Sequence, residues 1–286
     1  PFLQKDGSDM YEIEHIIVDG GSTDGSVDVI KDYEHQSCPM REEGKKSILW
    51  VSEKDYGIYN AMNKGIQIAM GRRVVDDQHH SELVSRPMRE SQRGSDYIQI
   101  LNSGDVLASD HVLADCELQI AELGWPEMMY GNMIKQDFFT GQIIGKSRRV
   151  EYSLRNYYHG TMNHDCCWIK QTLFDIYGLY DENLKIVSDW KWFLMAIGLG
   201  YVQPVYVDID VTIFDASGIS ETNLSLRNQE RRQVLEELLP PAILADYDKH
   251  AFETTQVDRL RKYHLYGLFY FVERVLFKLE KWHIIK

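Results

Sequence analysis

Three short apolar runs in the first third of the chain each end in a turn rich in aspartate, glycine or asparagine. They are EHIIVDGG (14–21), SILWVSE (47–53) and YIQILNS (97–103). Apolar residues at helical spacing follow the first two, in residues 26–36 and 58–71. Strands that alternate with helices predict an α/β fold with a mostly parallel central sheet flanked by helices. Ligands of such sheets bind beyond the carboxyl ends of the strands, where all three polar turns fall.

Composition narrows the class of protein. The 286 residues suit one large domain or a domain with an extension, and 44% hydrophobic with 26% charged residues is typical of a soluble globular chain. A formal net charge of −13 disfavours a nucleic-acid partner. An anionic ligand would therefore need local neutralisation by helix N-termini, backbone N–H groups or a divalent cation.

The cysteines and the hydropathy pattern favour a cytoplasmic protein. No CxxC pair occurs, so we expect reduced thiols rather than a zinc ribbon or a redox site, at Cys38, Cys116, Cys166 and Cys167. No signal peptide is visible, and no apolar run reaches the roughly 20 residues that a membrane-spanning helix needs. Because the chain opens at Pro1 with a polar segment, we expect an N-terminal piece to precede this numbering.

The rest of the chain divides into recognisable segments. Residues 72–95 are polar, with neighbouring charges of both signs, and predict a long surface loop or partly disordered insertion. His79 and His80, with Asp76 and Asp77 nearby, could be mistaken for a metal site. The general polarity of the loop explains this cluster without metal ligation. Further along we expect a hairpin across Thr140–Gly141, a helix capped by Ser188 or Asp189, and a long strand or strand pair over 201–215.

Residues 257–286 form an aromatic, cationic and helical tail. Two interpretations stay open. The tail packs on the domain or on a second copy in a homodimer, or it lies in a membrane interface where basic residues meet anionic head groups. The second interpretation places the protein in the cytoplasm, peripheral at the inner face of the cell membrane. We divide the chain into a catalytic domain (1–220, with the 72–95 insertion) and a helical extension (221–286).

The first two turns carry candidate ligand contacts. Asp19 precedes Gly20 and Gly21, and glycine permits close approach of the backbone to a ligand, so the carboxylate can accept from a base N–H or a ribose hydroxyl. Ser22 and Asp24 either cap the next helix or join that site. Asp55 precedes Gly57 in a second turn of the same kind.

The helix that follows favours anions at its N-terminus. Asn60 and Lys64 lie in its first turns, and Lys64 is either a charge for phosphate or a solvated helix residue. The donor-side candidates are Asp19, Gly20, Ser22, Asp55, Asn60, Lys64, Asn102 and Ser103.

Two later carboxylates suit a metal and a base. Asp105 follows the third run, and Mg²⁺ or Mn²⁺ needs few protein carboxylates when phosphates and water supply the other oxygens. Asp189 opens a helix, so it is a cap or a general base that deprotonates a sugar hydroxyl. The acceptor-side candidates are His164, Asp165 and Trp190.

Taken in order, these segments resemble family 2 glycosyltransferases of the GT-A fold over about residues 13–220. The resemblance rests on VDGGSTDGS (18–26), SEKDYGIYNAMNKGI (52–66), LNSGD (101–105), NHD (163–165), SDW (188–190) and GIS (218–220). It implies a nucleotide-diphosphate sugar donor, most often a UDP-sugar, with a divalent metal at Asp105. It also implies that Asp19 and Asp55 hold the base and ribose, and that Asp189 deprotonates a glycan or lipid-linked acceptor for an inverting displacement. Such enzymes commonly build cell-surface polysaccharides.

The chain departs from the family pattern in four places. The usual apolar first strand has no counterpart in residues 1–12. Asn60 and Gly104 stand where aspartate is frequent, and residues 72–95 split a junction that is usually tight. Two other functions are weighed against glycosyl transfer. The first is a nucleotidyltransferase, which would need a second carboxylate cluster for two metals, and no such cluster is seen in this sequence. The second is a non-catalytic nucleotide-sugar-binding protein.

Overall fold

The computed structural model describes residues 13–37, 48–72, 96–150, 152–215 and 223–281. The chain forms two compact units, Pro1–Arg231 and Arg232–Lys286. Several predictions fall outside the described residues: the missing first strand, Cys38, nearly all of the 72–95 insertion, the GIS tripeptide and the domain boundary at 220/221.

The first sheet has two strands and carries the first two polar turns. Strands β1 (His15–Asp19) and β2 (Ile48–Ser52) are parallel, with Asp19 paired to Ser52 at their carboxyl ends. Helices α1 (Ser26–Ser37) and α2 (Ile58–Ala69) follow these strands. The strand–helix alternation expected from the sequence is confirmed here. Gly71 adopts a φ of 68° just after α2, as expected for a residue that ends a helix.

The second sheet has six strands. They are β3 (Tyr97–Ile98), β4 (Val106–Leu107), β5 (Met128–Gln136), β6 (Ile143–Lys146), β7 (Cys167–Lys170) and β8 (Val205–Asp215). Their order is β3-β7-β5-β8-β4, with β6 paired to β5. The predicted hairpin is β5–β6, and the 201–215 segment is one long strand rather than two.

The α/β class with flanking helices is confirmed, but strand directions within the six-stranded sheet are mixed. Only β5–β8 is parallel, whereas β3–β7, β4–β8, β5–β6 and β5–β7 are antiparallel. The physical reason lies in the connections. A hairpin joins β5 to β6, and tight connections produce antiparallel neighbours. The third predicted strand is also shorter than expected, since β3 ends at Ile98 and the chain to Asp105 is irregular.

The remaining helices of the first unit surround the six-stranded sheet. They are α3 (Val112–Glu122), α4 (Leu154–His159), α5 (Gln171–Tyr177) and α6 (Ser188–Phe193), and α6 continues as a π-helical turn, Leu194–Gly198. A short 3₁₀ turn, His164–Cys166, leads into β7. Because α6 carries the candidate base, what holds α6 in place decides the geometry of the site.

An aromatic cluster anchors α6. Trp190, Trp192 and Phe193 are almost fully buried, and the indole N–H of Trp190 donates to the carbonyl of Tyr157 at 2.9 Å. The Arg231 guanidinium lies over the Trp190 ring, 4.9 Å from its centre. Trp190 is therefore a core residue and not the predicted acceptor contact, because its large apolar surface is taken up by packing.

The C-terminal residues are helical, as predicted. Helix α7 (Leu224–Leu238) crosses from the first unit into the second, and α8 (Pro241–Lys262) and α9 (Tyr266–Lys281) follow. Most large apolar side chains of α9 are exposed. Within the described residues, no helix combines the length and the apolar character needed to span a membrane.

Candidate active site

Asp19 organises the turn after β1. Its Oδ2 accepts hydrogen bonds from the Gly21 N–H (3.0 Å), the Ser22 N–H (2.9 Å) and the Ser52 hydroxyl (2.6 Å). Burial alone would raise the pKa of Asp19, but the hydrogen bonds from Ser22, Ser52 and Gly21 together lower it. Asp19 is therefore an anion with a fixed orientation at the carboxyl edge of the small sheet.

Ser22 and Asp24 have separate roles. Asp24 Oδ1 accepts from the Ser26 N–H (3.1 Å) and the Ser26 hydroxyl (2.7 Å) at the start of α1, so Asp24 caps the helix as expected. Ser22 instead supports Asp19 through its backbone and its side chain. The prediction that Ser22 caps α1 is corrected, because its hydroxyl is directed to the neighbouring carboxylate.

The turn after β2 lies against the turn after β1. Asp55 Oδ1 accepts from the Gly57 N–H at 3.0 Å, and the Glu53 N–H donates to the Asp19 carbonyl at 3.0 Å. A Cβ atom at Gly20 would lie only 2.5 Å from Asp55 Oδ2. Asp19 and Asp55 therefore meet at one edge of the sheet, and glycine at position 20 allows the approach.

Asn60 and Lys64 on α2 contact protein partners. Lys64 is buried, and its Nζ lies 2.6 Å from Glu53 Oε1. Asn60 donates to Glu182 Oε2 at 2.8 Å. Lys64 is thus not a solvated helix residue, because its buried ammonium is paired with the Glu53 carboxylate. A phosphate contact of Lys64 stays a prediction. A ligand contact of Asn60 stays a prediction.

Both carboxylate oxygens of Asp189 are hydrogen-bonded. Oδ1 accepts from the Tyr59 hydroxyl at 3.0 Å, and Oδ2 lies 2.9 Å from His164 Nδ1. Neither Ser188 nor Asp189 caps α6 with its side chain, since the N-cap residue is Val187, without a side-chain cap bond. The capping interpretation of Asp189 is wrong because its carboxylate faces these two partners instead.

Burial and pairing act against each other at Asp189 and His164. Burial would raise the pKa of Asp189, but the hydrogen bond and charge of His164 lower it below the ordinary value. Burial would lower the pKa of His164, and the hydrogen bond to Asp189 raises it. The pair therefore favours an aspartate anion. About one sixth of the Asp189 side chain, 17%, stays accessible, so a substrate hydroxyl can reach it.

His164 also contacts the LNSGD loop. Its Nε2 lies 3.0 Å from Asn102 Nδ2. In the neutral imidazole with its proton on Nδ1, Nε2 has a lone pair that accepts from the Asn102 amide. The predicted donor-side loop and the predicted base are thus joined through one imidazole. The third predicted residue of that loop region, Ser103, lies at an exposed turn.

Asp105 lies in a desolvated, negatively charged environment. Burial is the largest cause that raises the pKa of Asp105, to about 6, and the charges of Asp165 and Asp215 add to the rise. Two groups lower this pKa: the Asp215 N–H, which donates to Asp105 Oδ1 at 3.1 Å, and the charge of His164. Excess negative charge of this kind is relieved by a cation.

The donor set around Asp105 fits a hard cation held mainly by its substrate. Among the described residues, no group of three or more His, Cys, Asp or Glu side chains is arranged to hold a metal without other ligands. Mg²⁺ and Mn²⁺ accept one or two protein carboxylates and take their remaining oxygens from phosphates and water. Asp105 therefore suits the predicted metal.

Asp165 belongs to the framework of the site. It is almost fully buried, and its Oδ2 accepts from the Thr212 hydroxyl on β8 at 2.5 Å. Its carbonyl accepts from Gln99 Nε2 at 2.8 Å. The predicted acceptor contact is corrected: Asp165 fixes the 3₁₀ turn that carries His164 to the sheet, because a buried carboxylate must be hydrogen-bonded by the protein.

Sequence reasoning missed two supporting residues. Tyr59 was recognised only as part of the start of α2, and Glu230 was not singled out. Glu230 is buried and accepts from the Lys185 N–H at 2.7 Å, the Ile186 N–H at 2.9 Å and the Val187 N–H at 3.3 Å, just before α6. The only sequence signal was a glutamate within a helix, which gives no indication of this long-range contact.

Comparisons with known proteins agree with the pattern of segments. Residues 3–100 match the family model described as "Glycosyl transferase family 2". An uncharacterized glycosyltransferase, Rv1514c of Mycobacterium tuberculosis, is 25% identical over 212 residues, which cover 72% of this chain and 65% of that protein. The chain thus spans slightly less than two thirds of that relative.

A second relative and a solved structure add to the comparison. A PGL/p-HBAD biosynthesis glycosyltransferase, Rv2957 of M. tuberculosis, is 21% identical over 214 residues, covering 74% of this chain and 69% of that protein. The crystal structure of S. aureus TarS 1–349 in complex with UDP aligns with a TM-score of 0.47 and 15% identity, covering 79% of this chain and 61% of that chain.

Proposed function

We propose that this chain, whose residues 3–100 match the model of glycosyl transferase family 2, is an inverting enzyme that moves a sugar from a nucleotide diphosphate to an acceptor hydroxyl. The observation that carries the proposal is the Asp189 carboxylate. It is held at both oxygens, partly accessible, and linked through His164 to the loop that contains Asp105. A fixed, ionised carboxylate of this kind is what a general base requires.

The two turns of the small sheet are the proposed donor site. Asp19 and Asp55 present carboxylates at the carboxyl ends of β1 and β2, where α/β sheets bind nucleotides. A carboxylate there accepts from ribose hydroxyls or base N–H groups. UDP-sugars are the first donors to test, because they are the commonest donors of the family that the sequence resembles.

Asp105 is the proposed protein ligand of Mg²⁺ or Mn²⁺. When bound, the metal stabilises the negative charge of the leaving diphosphate. Burial and the charges of Asp165 and Asp215 leave Asp105 with unfavourable negative charge, which a cation relieves. These charges therefore support a cation at this position, and the cation would in turn attract the diphosphate.

The proposed chemistry is one displacement. Asp189 takes the proton of the acceptor hydroxyl, the hydroxyl oxygen bonds to the anomeric carbon, and the bond from that carbon to the diphosphate breaks. Attack opposite the leaving group inverts the anomeric carbon. Since the pKa of Asp189 is lowered, the base is ionised at neutral pH. We propose a glycan or lipid-linked acceptor and a role in cell-surface polysaccharide synthesis.

Donor binding tests this function. UDP-, GDP- and dTDP-sugars are titrated by calorimetry with Mn²⁺ and with EDTA, and donor consumption is then measured with candidate acceptors. We expect metal-dependent binding of one donor, and a large loss of binding in Asp105→Ala. Asp110→Ala, which removes an exposed carboxylate nearby in sequence, is the matched control. Binding without any turnover would favour the non-catalytic alternative, and release of sugar 1-phosphate with transfer of the nucleoside monophosphate would favour the nucleotidyltransferase.

We further propose that α9 places the enzyme at the cytoplasmic face of a membrane. Its exposed apolar side chains include Leu268, Phe271, Val272 and Val275, with 63%, 64%, 46% and 40% exposure. These residues share one face of the helix at helical spacing. Residues 259–281, which include the last turn of α8, contain six basic and two acidic residues in a chain of net charge −13. A cationic segment that continues into an exposed apolar helix is complementary to anionic lipid.

Vesicle flotation tests this localisation. We expect binding to vesicles that contain phosphatidylglycerol, weaker binding to phosphatidylcholine alone, and loss of binding in Phe271→Glu. Ile176→Glu, at an apolar side chain of 68% exposure in the first unit, is the control. A concentration-dependent dimer that Phe271→Glu abolishes, without flotation, would show that a second copy covers α9 instead.

A further inference from the structure

Tyr59 connects the donor side of the fold to the proposed base. It lies in the first turn of α2, directly after the Asp55 turn, and it is separated from Asp189 by 130 residues in the sequence. Its ring is buried, and its hydroxyl lies 3.0 Å from Asp189 Oδ1. This contact therefore exists only when α2 and α6 are packed in their native arrangement.

The direction of the hydrogen bond follows from the other partners of the phenol oxygen. The backbone N–H groups of Ser188 and Asp189 also hydrogen bond to Tyr59, so the oxygen already accepts at the start of α6. Burial, with the nearby Asp189 charge, raises the pKa of Tyr59 far above its ordinary value. The phenol thus keeps its proton, and that proton is donated to Asp189 Oδ1.

His164 holds the opposite oxygen. Its Nδ1 lies 2.9 Å from Asp189 Oδ2, and its Nε2 lies 3.0 Å from Asn102 in the LNSGD loop. The carboxylate is consequently held by one group from α2 and one from the 3₁₀ turn before β7. His164 in turn joins that 3₁₀ turn to the loop beside Asp105.

We propose that Tyr59 is a positioning residue, whose hydroxyl holds the Asp189 carboxylate in the orientation needed to deprotonate the acceptor. This inference rests on the proposed function, because it assigns Tyr59 to the same reaction. It predicts that the orientation of the base depends on the packing of the donor-side helix. A base that rotates away from its acceptor loses rate, and a displacement of about 1 Å costs roughly 100-fold.

Tyr59→Phe is the direct test, since it removes only the hydroxyl and keeps the buried ring. We expect kcat to fall about 10- to 100-fold, while the donor Kd changes by less than about twofold. Tyr201→Phe is the matched control, because Tyr201 is none of the proposed site residues and its side chain is 93% exposed. We expect its kcat to match that of the wild type.

The pH profile separates positioning from structural support. The titratable and charged groups that face Asp189 are Tyr59, His164, Tyr180, Cys167 and Arg231. Of these, Tyr59 donates to the ionised carboxylate, so its hydroxyl favours the charged form. Tyr59→Phe should therefore move the acidic limb of the kcat profile to higher pH, whereas Tyr201→Phe should leave it in place.

A double variant adds a second readout. If Tyr59 acts through Asp189, then Tyr59→Phe should lower the residual rate of Asp189→Asn by less than about twofold. Two results would overturn the inference: unchanged kcat and pH profile in Tyr59→Phe, or equal losses of donor binding and turnover, which assign the hydroxyl to the fold. An absence of transfer by the wild type is a different outcome, since it contradicts the proposed function itself.

Discussion

The donor-side turns and the base on α6 are assembled in different ways. Asp19 accepts from residues two and three positions along the chain, and from Ser52 on the neighbouring strand. Asp55 accepts from a residue two positions along. Asp189, in contrast, contacts His164 and Tyr59, which lie 25 and 130 residues away. The donor turns are therefore properties of local sequence, whereas the base site is a property of the folded chain.

This difference extends to the support of each site. The backbone before α6 is held by Glu230, which lies 43 to 45 residues further along the chain. The turns after β1 and β2 are held mostly by their own N–H groups and by each other. We therefore expect changes around the base to alter the stability of the fold, and changes in the donor turns to alter mainly affinity.

Removal of Glu230 should have the largest effect on stability. Glu230→Ala leaves the N–H groups of Lys185, Ile186 and Val187 without their buried acceptor, and each such loss costs about 1–3 kcal/mol. We expect the free energy of unfolding, measured in urea, to fall by at least about 3 kcal/mol. Glu236→Ala is the control, because its exposed pair with Arg232 contributes less than about 1 kcal/mol. Equal effects of the two variants would contradict the long-range support of α6.

The His164–Asp189 pair should show a defined pH window. The folded pKa of His164 is raised, so its contribution is complete below 6.5 and is lost as pH rises through that folded pKa. The folded pKa of Asp189 is lowered, so its contribution is complete above 3.8 and is lost as pH falls through that folded pKa. The stability difference between wild type and His164→Asn should therefore be largest between those two values, at about 1–2 kcal/mol.

Urea unfolding of both proteins across the pH range measures this difference. His35→Asn is a suitable control, because His35 lies on the exposed part of α1. A difference between wild type and His164→Asn that is flat with pH would show that the two groups are not an ion pair in the folded protein.

Gly20→Ala should affect the donor turns with little change elsewhere. The added Cβ would lie 2.5 Å from Asp55 Oδ2, so the Asp55 carboxylate must move from its present position. We expect donor affinity to fall about tenfold, from a cost of about 1–2 kcal/mol for the forced shift, with kcat almost unchanged. Gly145→Ala, where a Cβ meets no atom within 4 Å, is the control for binding. A large fall in kcat with intact affinity would remove the distinction between the two regions.

The same distinction explains which features the sequence predicted. The strand, turn and helix of each donor-side unit follow from apolar spacing and glycine placement, which act over a few residues. The hairpin over β5 and β6 and the long strand β8 are likewise local, and they are confirmed. The donor-turn residues are predicted from the same kind of local signal, since each signal lies within a short segment.

The sequence did not predict the contacts that side chains make with residues far away in the chain. Nothing in a helical pattern shows that Lys64 pairs with Glu53, that Trp190 packs in the core, or that Asp165 is bonded by Thr212. Helical spacing identifies which residues share a face but not what that face meets. Strand direction in the six-stranded sheet failed for a related reason, since it depends on how the connections fold back.

Asp189→Asn tests the central claim most directly, because it preserves the shape of the side chain and removes the base. Donor binding by calorimetry and single-turnover transfer to an acceptor are measured on the same preparation. We predict that the rate of transfer falls about 100- to 10,000-fold while the donor Kd stays within about twofold of wild type. A rate of transfer close to that of the wild type would contradict the assignment of Asp189 as the base, and with it our account of the site.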